Sequence, residues 1–375
     1  MRLPPLVLGL TLMASCAGIQ GPSSSSEPTP GEASTEEGRT TSANSANADA
    51  GADTWGKIIE APPEVFFAAD LSEDVRNGLT ETLLAATVEW GNFGPLEYWV
   101  LGTDRDAARK LAEQFCERRS QRGEYDEDDC LADALRADRP HNFEYYWKVG
   151  ADAVSSGRGG SAMGLNGNRE WGIHLYSSSY PLGFDRLLGV SPAQEQVTVF
   201  HEYFHAVQSA HIQTRDHDQR YALMGPVWFV EGGADYMAET AARKLWASGE
   251  LATLDGDGRP SFEEGFEHRM RAARSKVEKN CPGVKLHEFT YEHHCEGAAF
   301  DLGVWAIAYL LNKAGQSALL DTFYPCLEEL GWEGAFQKTF GTSSAEFSDE
   351  FAHFVEQPLA DQRAILPPPP GKRRP

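Results

Sequence analysis

Val199-Phe-His-Glu-Tyr-Phe-His205 is the stretch on which the interpretation of this chain depends. Two histidines separated by three residues project from the same face of a helix, one turn apart, so both imidazoles can reach a single tetrahedral zinc ion. The glutamate beside the first histidine, Glu202, can then take a proton from a water molecule that zinc has acidified. The spacing predicts His201 and His205 as metal ligands and Glu202 as a general base.

A second helix downstream offers the third ligand that a catalytic zinc ion needs. Pro226 breaks the chain before a predicted helix over residues 228–246. Glu231 on this helix can supply a carboxylate, which leaves one coordination position open. Asp235 lies one turn further along, where it can accept a hydrogen bond from the outer nitrogen of a zinc-bound histidine.

The second helix also carries a resemblance to a known family. Five of its residues match the pattern WxxEGxAxY position for position: Trp228, Glu231, Gly232, Ala234 and Tyr236. HExxH followed by this pattern resembles the gluzincin metallopeptidases, the thermolysin and aminopeptidase superfamily, and in particular their membrane-associated, peptidase MA-like relatives. The resemblance runs from about residue 194 to the end of the folded part. It implies one zinc ion per chain, held by the two histidines and Glu231, and hydrolysis of peptide or protein substrates.

One position departs from the family pattern. Family members usually carry a tyrosine at the start of the first C-terminal helix, where its hydroxyl could support an oxyanion, and this chain has Phe300 there. A phenyl ring cannot donate a hydrogen bond. Either another group replaces the hydroxyl, with Tyr291, His293 and His294 closest in sequence, or catalysis is weakened.

A different third ligand, His211, falls at the last histidine of the metzincin pattern HExxHxxGxxH. In that family a glycine lets the chain leave the helix, whereas Gln208 occupies the position here and favours continuing it. A continuous helix carries His211 about 15 Å along the axis from His201. We therefore expect His211 to lie away from the metal.

Strand patterns come first in the folded part, and helix patterns follow. Before residue 157 the predicted elements are strands at 64–68 and 96–101, a helix at 73–90 with Ser72 as its N-cap, and a helix at about 105–119. Residues 157–176 predict a hairpin, and from Pro192, with Ser191 as the N-cap, the pattern stays helical. This order indicates an α+β fold. With the resemblance, we expect a zincin-like fold with an N-terminal mixed sheet and a mainly helical C-terminal half.

The ends of the chain differ in composition from the middle. One positive charge before a short apolar run is typical of a signal peptide. The run ends at Met13-Ala-Ser-Cys16, which resembles a bacterial lipoprotein box and implies an exported protein, anchored at the outer membrane or cell surface through a lipid on Cys16. The expected organisation is a signal peptide at 1–15, the lipidated cysteine and a disordered tether at 16–53, an α+β subdomain at 54–190, a zinc-binding helical subdomain at 191–363 and a disordered tail at 364–375.

Acidic residues dominate the charge of the chain. With 33 Lys and Arg against 56 Asp and Glu, the formal net charge is −23, so nucleic acid is not expected as a partner. Two acidic segments come close to calcium-site patterns, residues 126–129 and residues 253–264. We favour a solvated acidic loop for the first and a plain acidic turn for the second.

Five cysteines remain after Cys16, and an exported protein can oxidise them. Sequence neighbours favour the pairs Cys116 with Cys130 and Cys281 with Cys295, which leaves Cys326 as a buried free thiol. Spacing by itself leaves other pairings open.

Three hypotheses for function follow. The first is a zinc metallopeptidase with Glu202 as its base. The second, motivated by Phe300, is a catalytically inactive zinc-binding surface lipoprotein with an adhesion or scaffold role. In the third, both histidines are core residues and no metal is bound, although so many buried polar groups then need partners.

Overall fold

A computed structural model describes most of the chain after residue 53. The described residues are 54–158, 160, 162–165, 172–252, 261–291 and 295–368. The expected signal peptide, Cys16 and tether lie outside them, as do residues 253–260, His293 and His294. None of the described helices combines the length with the apolar composition that a membrane span requires.

A four-stranded mixed sheet forms the N-terminal side of the molecule. Its strands are β1 (Glu64–Phe67), β2 (Leu96–Val100), β3 (Met163–Leu165) and β4 (His174–Ser178), in the order β1-β2-β4-β3. The first three neighbours, β1, β2 and β4, run parallel, and β3 pairs antiparallel to β4 at the edge. Every residue of β2 and β4 is buried, as expected for central strands covered on both faces. Both predicted strands are confirmed, and β3 and β4 form the antiparallel pair expected of the predicted hairpin, whose connecting residues 166–171 lie outside the described residues.

Helix α1 (Glu73–Trp90) connects β1 to β2, because parallel strands need a crossover. Ser72 accepts a hydrogen bond from the amide of Val75, so the predicted N-cap is confirmed. Glu73 and Asp74 then place negative charge at the positive end of the helix.

Three helices follow β2 in the N-terminal half: α2 (Arg105–Gln121), α3 (Glu127–Ala134) and α4 (Phe143–Ser156). The prediction of an acidic loop over residues 126–129 is wrong, because this segment caps and begins α3. Asp126 accepts hydrogen bonds from the amides of Asp128 and Asp129. Acidic side chains are favourable in the first turn of a helix, which accounts for the cluster.

From Pro192 onward the described chain is helical, as predicted. Its helices are α5 (Pro192–Ala210), α6 (His217–Met224), α7 (Val227–Ser248), α8 (Phe262–Asn280), α9 (Glu296–Ala314), α10 (Leu327–Phe340), α11 (Ser344–Glu356) and α12 (Leu359–Arg363). Short 3-10 or π turns occupy Leu187–Gly189, Leu286–Glu288, Leu319–Phe323 and Tyr324–Cys326. Ser261 and Glu264 form a capping box at the start of α8, which explains two residues of the second acidic segment.

The molecule is therefore an α+β protein with a small sheet and a mostly helical remainder. One cluster of buried apolar side chains includes Leu79 of α1, Trp99 of β2 and Trp305 of α9. Secondary structure changes near residue 191, but the core continues across it. Leu366 also belongs to this core, so the packed part extends past residue 363, where the predicted tail begins.

Both predicted disulfide pairs are confirmed. Cys116 and Cys130 join α2 to α3 with a Cα separation of 5.6 Å, and Cys281 and Cys295 join the end of α8 to the start of α9 with a separation of 6.6 Å. Cys326 is free, as predicted, but half-buried rather than buried. Its sulfur accepts a hydrogen bond from the Lys338 ammonium at 3.1 Å.

Candidate metal centre

Helix α5 carries the first two residues of the centre. A capping box between Ser191 and Gln194 sets where the helix begins, and the helical period then places His201 and His205 on one face, one turn apart. On another side of the helix, the two phenylalanine rings that directly precede the histidines in sequence pack against Trp90 of α1, with centroid separations of 5.6 and 5.0 Å. This apolar contact holds α5 against α1 while the histidines meet α7.

Helix α7 carries the third residue, Glu231, which is 1% exposed. The next residue, Gly232, lies where α7 crosses α9. A Cβ atom on Gly232 would overlap the backbone of Gly303, and one on Gly303 would overlap the backbone of Trp228. Glycine is therefore required on both helices, and the crossing sets the position of the segment that carries Glu231.

The two imidazoles and the carboxylate converge on one point. His201 Nε2 lies 3.1 Å from His205 Nε2, and Glu231 Oε2 lies 3.3 Å from the first nitrogen and 3.5 Å from the second. All three residues are buried. Within the described part of the chain, this is the one group of three His, Cys, Asp or Glu side chains that could hold a metal ion. The three predicted ligands are thus brought together.

The outer ring nitrogens are bound to hydrogen-bond acceptors. His201 Nδ1 lies 2.8 Å from Asp235 Oδ1, and His205 Nδ1 lies 2.7 Å from Gln208 Oε1. The Gln208 amide nitrogen donates to the carbonyl of Val230 at 3.0 Å, so its oxygen is the atom that faces the imidazole. Both Nδ1 atoms therefore carry the proton in the neutral rings, and both Nε2 atoms present lone pairs.

Three lone pairs that point into one buried volume are stabilised by a cation placed between them. Glu231 Oε2 has no hydrogen-bond donor among the described residues, and the neutral histidines have no Nε2 proton to give it. A buried carboxylate oxygen without a partner is costly, and the two Nε2 atoms repel it. A positive ion at the point where the atoms meet satisfies all three at once, so the residues present fit a metal ion.

The pKa shifts of the two histidines and Glu231 also indicate that positive charge is favoured at this point. Burial lowers the pKa of His201, but Asp235 and Glu231 raise it well above its ordinary value. Burial lowers the pKa of His205 as well, but Glu231 raises it, and the net shift is upward. For Glu231, burial raises the pKa, but the two histidines lower it to about 2. A metal ion bound at this site would therefore compete with protons.

Glu202 lies beside the group and is 2% exposed. Its Oε1 atom has no hydrogen-bond partner among the described residues. Its pKa is raised, mainly by burial, with the charges of Glu231 and Asp235 adding to the effect and the histidines opposing it. Its backbone carbonyl accepts a hydrogen bond of 2.6 Å from the Tyr176 hydroxyl, which ties this point of α5 to β4. A buried carboxylate with an unbound oxygen and a raised pKa is suited to accept a proton.

Tyr291 is the one described residue among the three suggested replacements for the missing tyrosine. Its hydroxyl donates a hydrogen bond to Glu231 Oε1 at 2.7 Å. Phe300 packs edge-on against the Tyr291 ring, with 6.5 Å between centroids. A phenol hydroxyl therefore reaches the centre from position 291, and Phe300 supports it through an apolar contact.

His211, the rival third ligand, lies just past the end of α5. Its ring contacts Tyr324 and Phe93 at centroid separations of 5.9 and 5.4 Å. Burial lowers its pKa to about 4, so the ring is neutral. The expectation that His211 lies apart from the metal group is confirmed.

Sequence reasoning missed two residues of the centre. It treated Gln208 only as a residue that continues the helix, although its spacing of three from His205 places both on one face and could have revealed the contact. Arg269 of α8 donates a hydrogen bond to Asp235 across 34 positions of sequence. No pattern along the chain signals that contact.

Comparison with known proteins returns no protein-family model, curated protein or solved structure that matches this chain. The function must therefore be inferred from the chemistry of the centre. Its geometry supplies three converging ligands, an adjacent carboxylate and a nearby phenol.

Proposed function

We propose that this chain is a zinc metallopeptidase of gluzincin type with a zincin-like fold. The observation that carries the proposal is the convergence of His201, His205 and Glu231. Nitrogen and oxygen atoms bound to one tetrahedral zinc ion at about 2.0–2.1 Å lie roughly 3.3–3.4 Å apart. The corresponding separations here are 3.1, 3.3 and 3.5 Å. Two imidazoles and one carboxylate are also a donor set of catalytic zinc sites.

The roles of the chain's own residues follow from their positions. A zinc ion in this site would supply Lewis-acid chemistry that acidifies water and polarises a carbonyl group. Glu202 would take the proton from the attacking water and deliver it to the leaving amine. Asp235 and Gln208 keep the Nε2 lone pairs turned inward. Tyr291 has one hydroxyl proton, which Glu231 Oε1 accepts; the hydroxyl would leave that oxygen to donate to the developing oxyanion in place of the absent tyrosine at position 300.

The substrate class proposed is a peptide or protein. Helix α5 packs beside β3, the edge strand of the sheet. An extended peptide can add to such an edge through main-chain hydrogen bonds, which would lay its carbonyl groups along the helix that carries Glu202.

Metal analysis and assays on a mixed peptide library test the proposal together. The wild type should bind one zinc ion per chain and cleave peptides in a chelator-sensitive way. Glu202→Gln should keep its zinc and lose about 10²–10⁴-fold in turnover, because only the base is removed. Glu231→Ala should lose the metal. Turnover that survives Glu202→Gln contradicts the proposal.

Phe300 favours the second candidate, a catalytically inactive zinc-binding surface lipoprotein with an adhesion or scaffold role. In that case the Tyr291 hydroxyl only holds Glu231 in place. Bound zinc without cleavage of any library peptide would support this candidate, and an intact fold without any metal would support the third hypothesis, in which the histidines are core residues.

We also propose that the protein is exported and held at the outer membrane or cell surface by a lipid on Cys16. Cys16→Ser should move the protein from the membrane fraction to the soluble fraction. Mass spectrometry should also show that the mass added by the acyl chains is lost. A variant that stays with the membrane would contradict the anchor while leaving the metal site untouched.

A further inference from the structure

Asp235 is shared between His201 and a residue of a third helix. Its Oδ1 atom accepts from His201 Nδ1 at 2.8 Å, and its Oδ2 atom accepts from the guanidinium of Arg269. Asp235 belongs to α7 and Arg269 to α8. Because each oxygen is engaged in a charge-assisted bond, the carboxylate cannot rotate without losing one of them.

Arg269 is itself held by acidic groups from two helices. Its guanidinium lies 3.7 Å from Asp301 of α9. Burial lowers the pKa of Arg269, but the charges of Asp235, Asp301 and Glu239 raise it above its ordinary value. The Arg269 and Asp235 side chains are 27% and 17% exposed, so solvent screens this pair less than a surface pair.

We propose that Arg269 is a positioning residue of the metal centre. It holds Asp235 in the orientation that fixes the tautomer and ring angle of His201, and so raises metal affinity without touching the metal. The inference rests on the proposed metal site but not on peptide hydrolysis. His205 is oriented instead by Gln208 from its own helix, so Arg269 acts on one imidazole of the two.

The test uses the full-length chain, a chelator-competition titration with zinc, and imidazole nitrogen NMR on the metal-free protein at a pH above the raised pKa values of the two histidines, where the neutral rings show their tautomers. Arg269→Gln should weaken zinc binding about 10-fold, the lower end of the range for partners behind a metal ligand. It should also reduce the fraction of His201 in the Nδ1–H tautomer and leave the His205 tautomer unchanged. A general loss of structure would disturb both rings alike.

Three variants act as controls. Arg271→Gln removes an arginine two positions along α8 that is 65% exposed and pairs with Glu267, so zinc affinity should not change. Arg269→Lys keeps the positive charge and should recover part of the affinity. Arg269→Gln added to Asp235→Asn should cause little further loss, because a residue that acts through Asp235 is not additive with it.

Unchanged zinc affinity and an unchanged His201 tautomer in Arg269→Gln would overturn the inference. An equal loss in Arg271→Gln, or full additivity with Asp235→Asn, would do the same. If the wild type binds no zinc, the proposed function fails, while the tautomers of the metal-free protein still decide whether Arg269 positions His201.

Discussion

The two histidines of the candidate metal centre are held in contrasting ways. His201 is buried, but its outer nitrogen binds the carboxylate of Asp235, whose side chain is 17% exposed and pairs in turn with Arg269. His205 is fully buried, and its outer nitrogen binds the neutral amide of Gln208. A buried charge is costly unless it is paired, so the interior side uses a neutral acceptor and the charged acceptor lies where an arginine and solvent can stabilise it.

Because of this difference, we expect changes at the two histidines to affect metal affinity and folding stability differently. Gln208 also bonds the Val230 carbonyl and the Tyr324 hydroxyl at 3.0 and 3.2 Å, so it belongs to the packing of α5 against its neighbours. Asp235 makes its bonds at the edge of the core. Changes on the His205 side should therefore affect folding and metal binding together, and changes on the His201 side chiefly metal binding.

The largest effect is expected at the helix crossing beside Glu231, because a change there should disturb the positions of both histidines and the glutamate. Gly303→Ala should lower the free energy of unfolding by about 3 kcal/mol, because the new methyl group meets backbone that cannot move aside. Urea unfolding of the metal-free protein measures this. Gly265→Ala is the matched control: it has open space around it in α8 and should stabilise by about 1 kcal/mol. Wild-type stability in Gly303→Ala would show that the α7–α9 crossing has room for a methyl group at position 303.

The next effect compares the two sides directly. Asp235→Asn and Gln208→Leu should each weaken zinc binding about 10- to 100-fold. Only Gln208→Leu should also cost about 1–3 kcal/mol of unfolding free energy without metal, because it leaves buried groups unpaired. Chelator competition and urea unfolding give the two quantities. Equal destabilisation by both variants would show that the His201 side and the His205 side contribute alike to folding.

The smallest effect concerns another buried acceptor, Glu195 of α5. It is 1% exposed, and one oxygen accepts from the Gly183 amide at 2.8 Å while the other has no partner among the described residues. Burial raises its pKa from 4.5 to about 7. The folded state therefore keeps a proton that the unfolded state has lost, and this group makes stability fall as pH rises from 4.5 to about 7.

Glu195→Gln should flatten that part of the pH dependence. At pH 8 it should exceed the wild type by about 1 kcal/mol, less than the full pKa shift implies because a buried amide also has a cost. Denaturant titrations of both proteins at pH 5 and pH 8 measure how much the free energy of unfolding of each changes with pH. Parallel pH profiles for the two proteins would show that Glu195 is not protonated in the fold.

Much of the site could be predicted because its signals are short in sequence. The spacing of His201 and His205, the caps at Ser72 and Ser191 and the local cysteine pairs depend on backbone geometry over a few residues. The same kind of signal was misjudged at residues 126–129. There Asp126 and the acidic residues after it begin a short helix, whose position the disulfide to Cys116 supports.

The chain by itself determined which residues could serve as ligands, through the 3.6-residue period of two helices and the order of strands before helices. Only the tertiary structure decided that three donor atoms meet within 3.5 Å, that Tyr291 reaches Glu231 and that Arg269 stands behind Asp235. The physical reason is that these contacts depend on the angles and distances at which separate helices pack. Those are set by the whole core, including the glycine crossing of α7 and α9, and not by any local pattern.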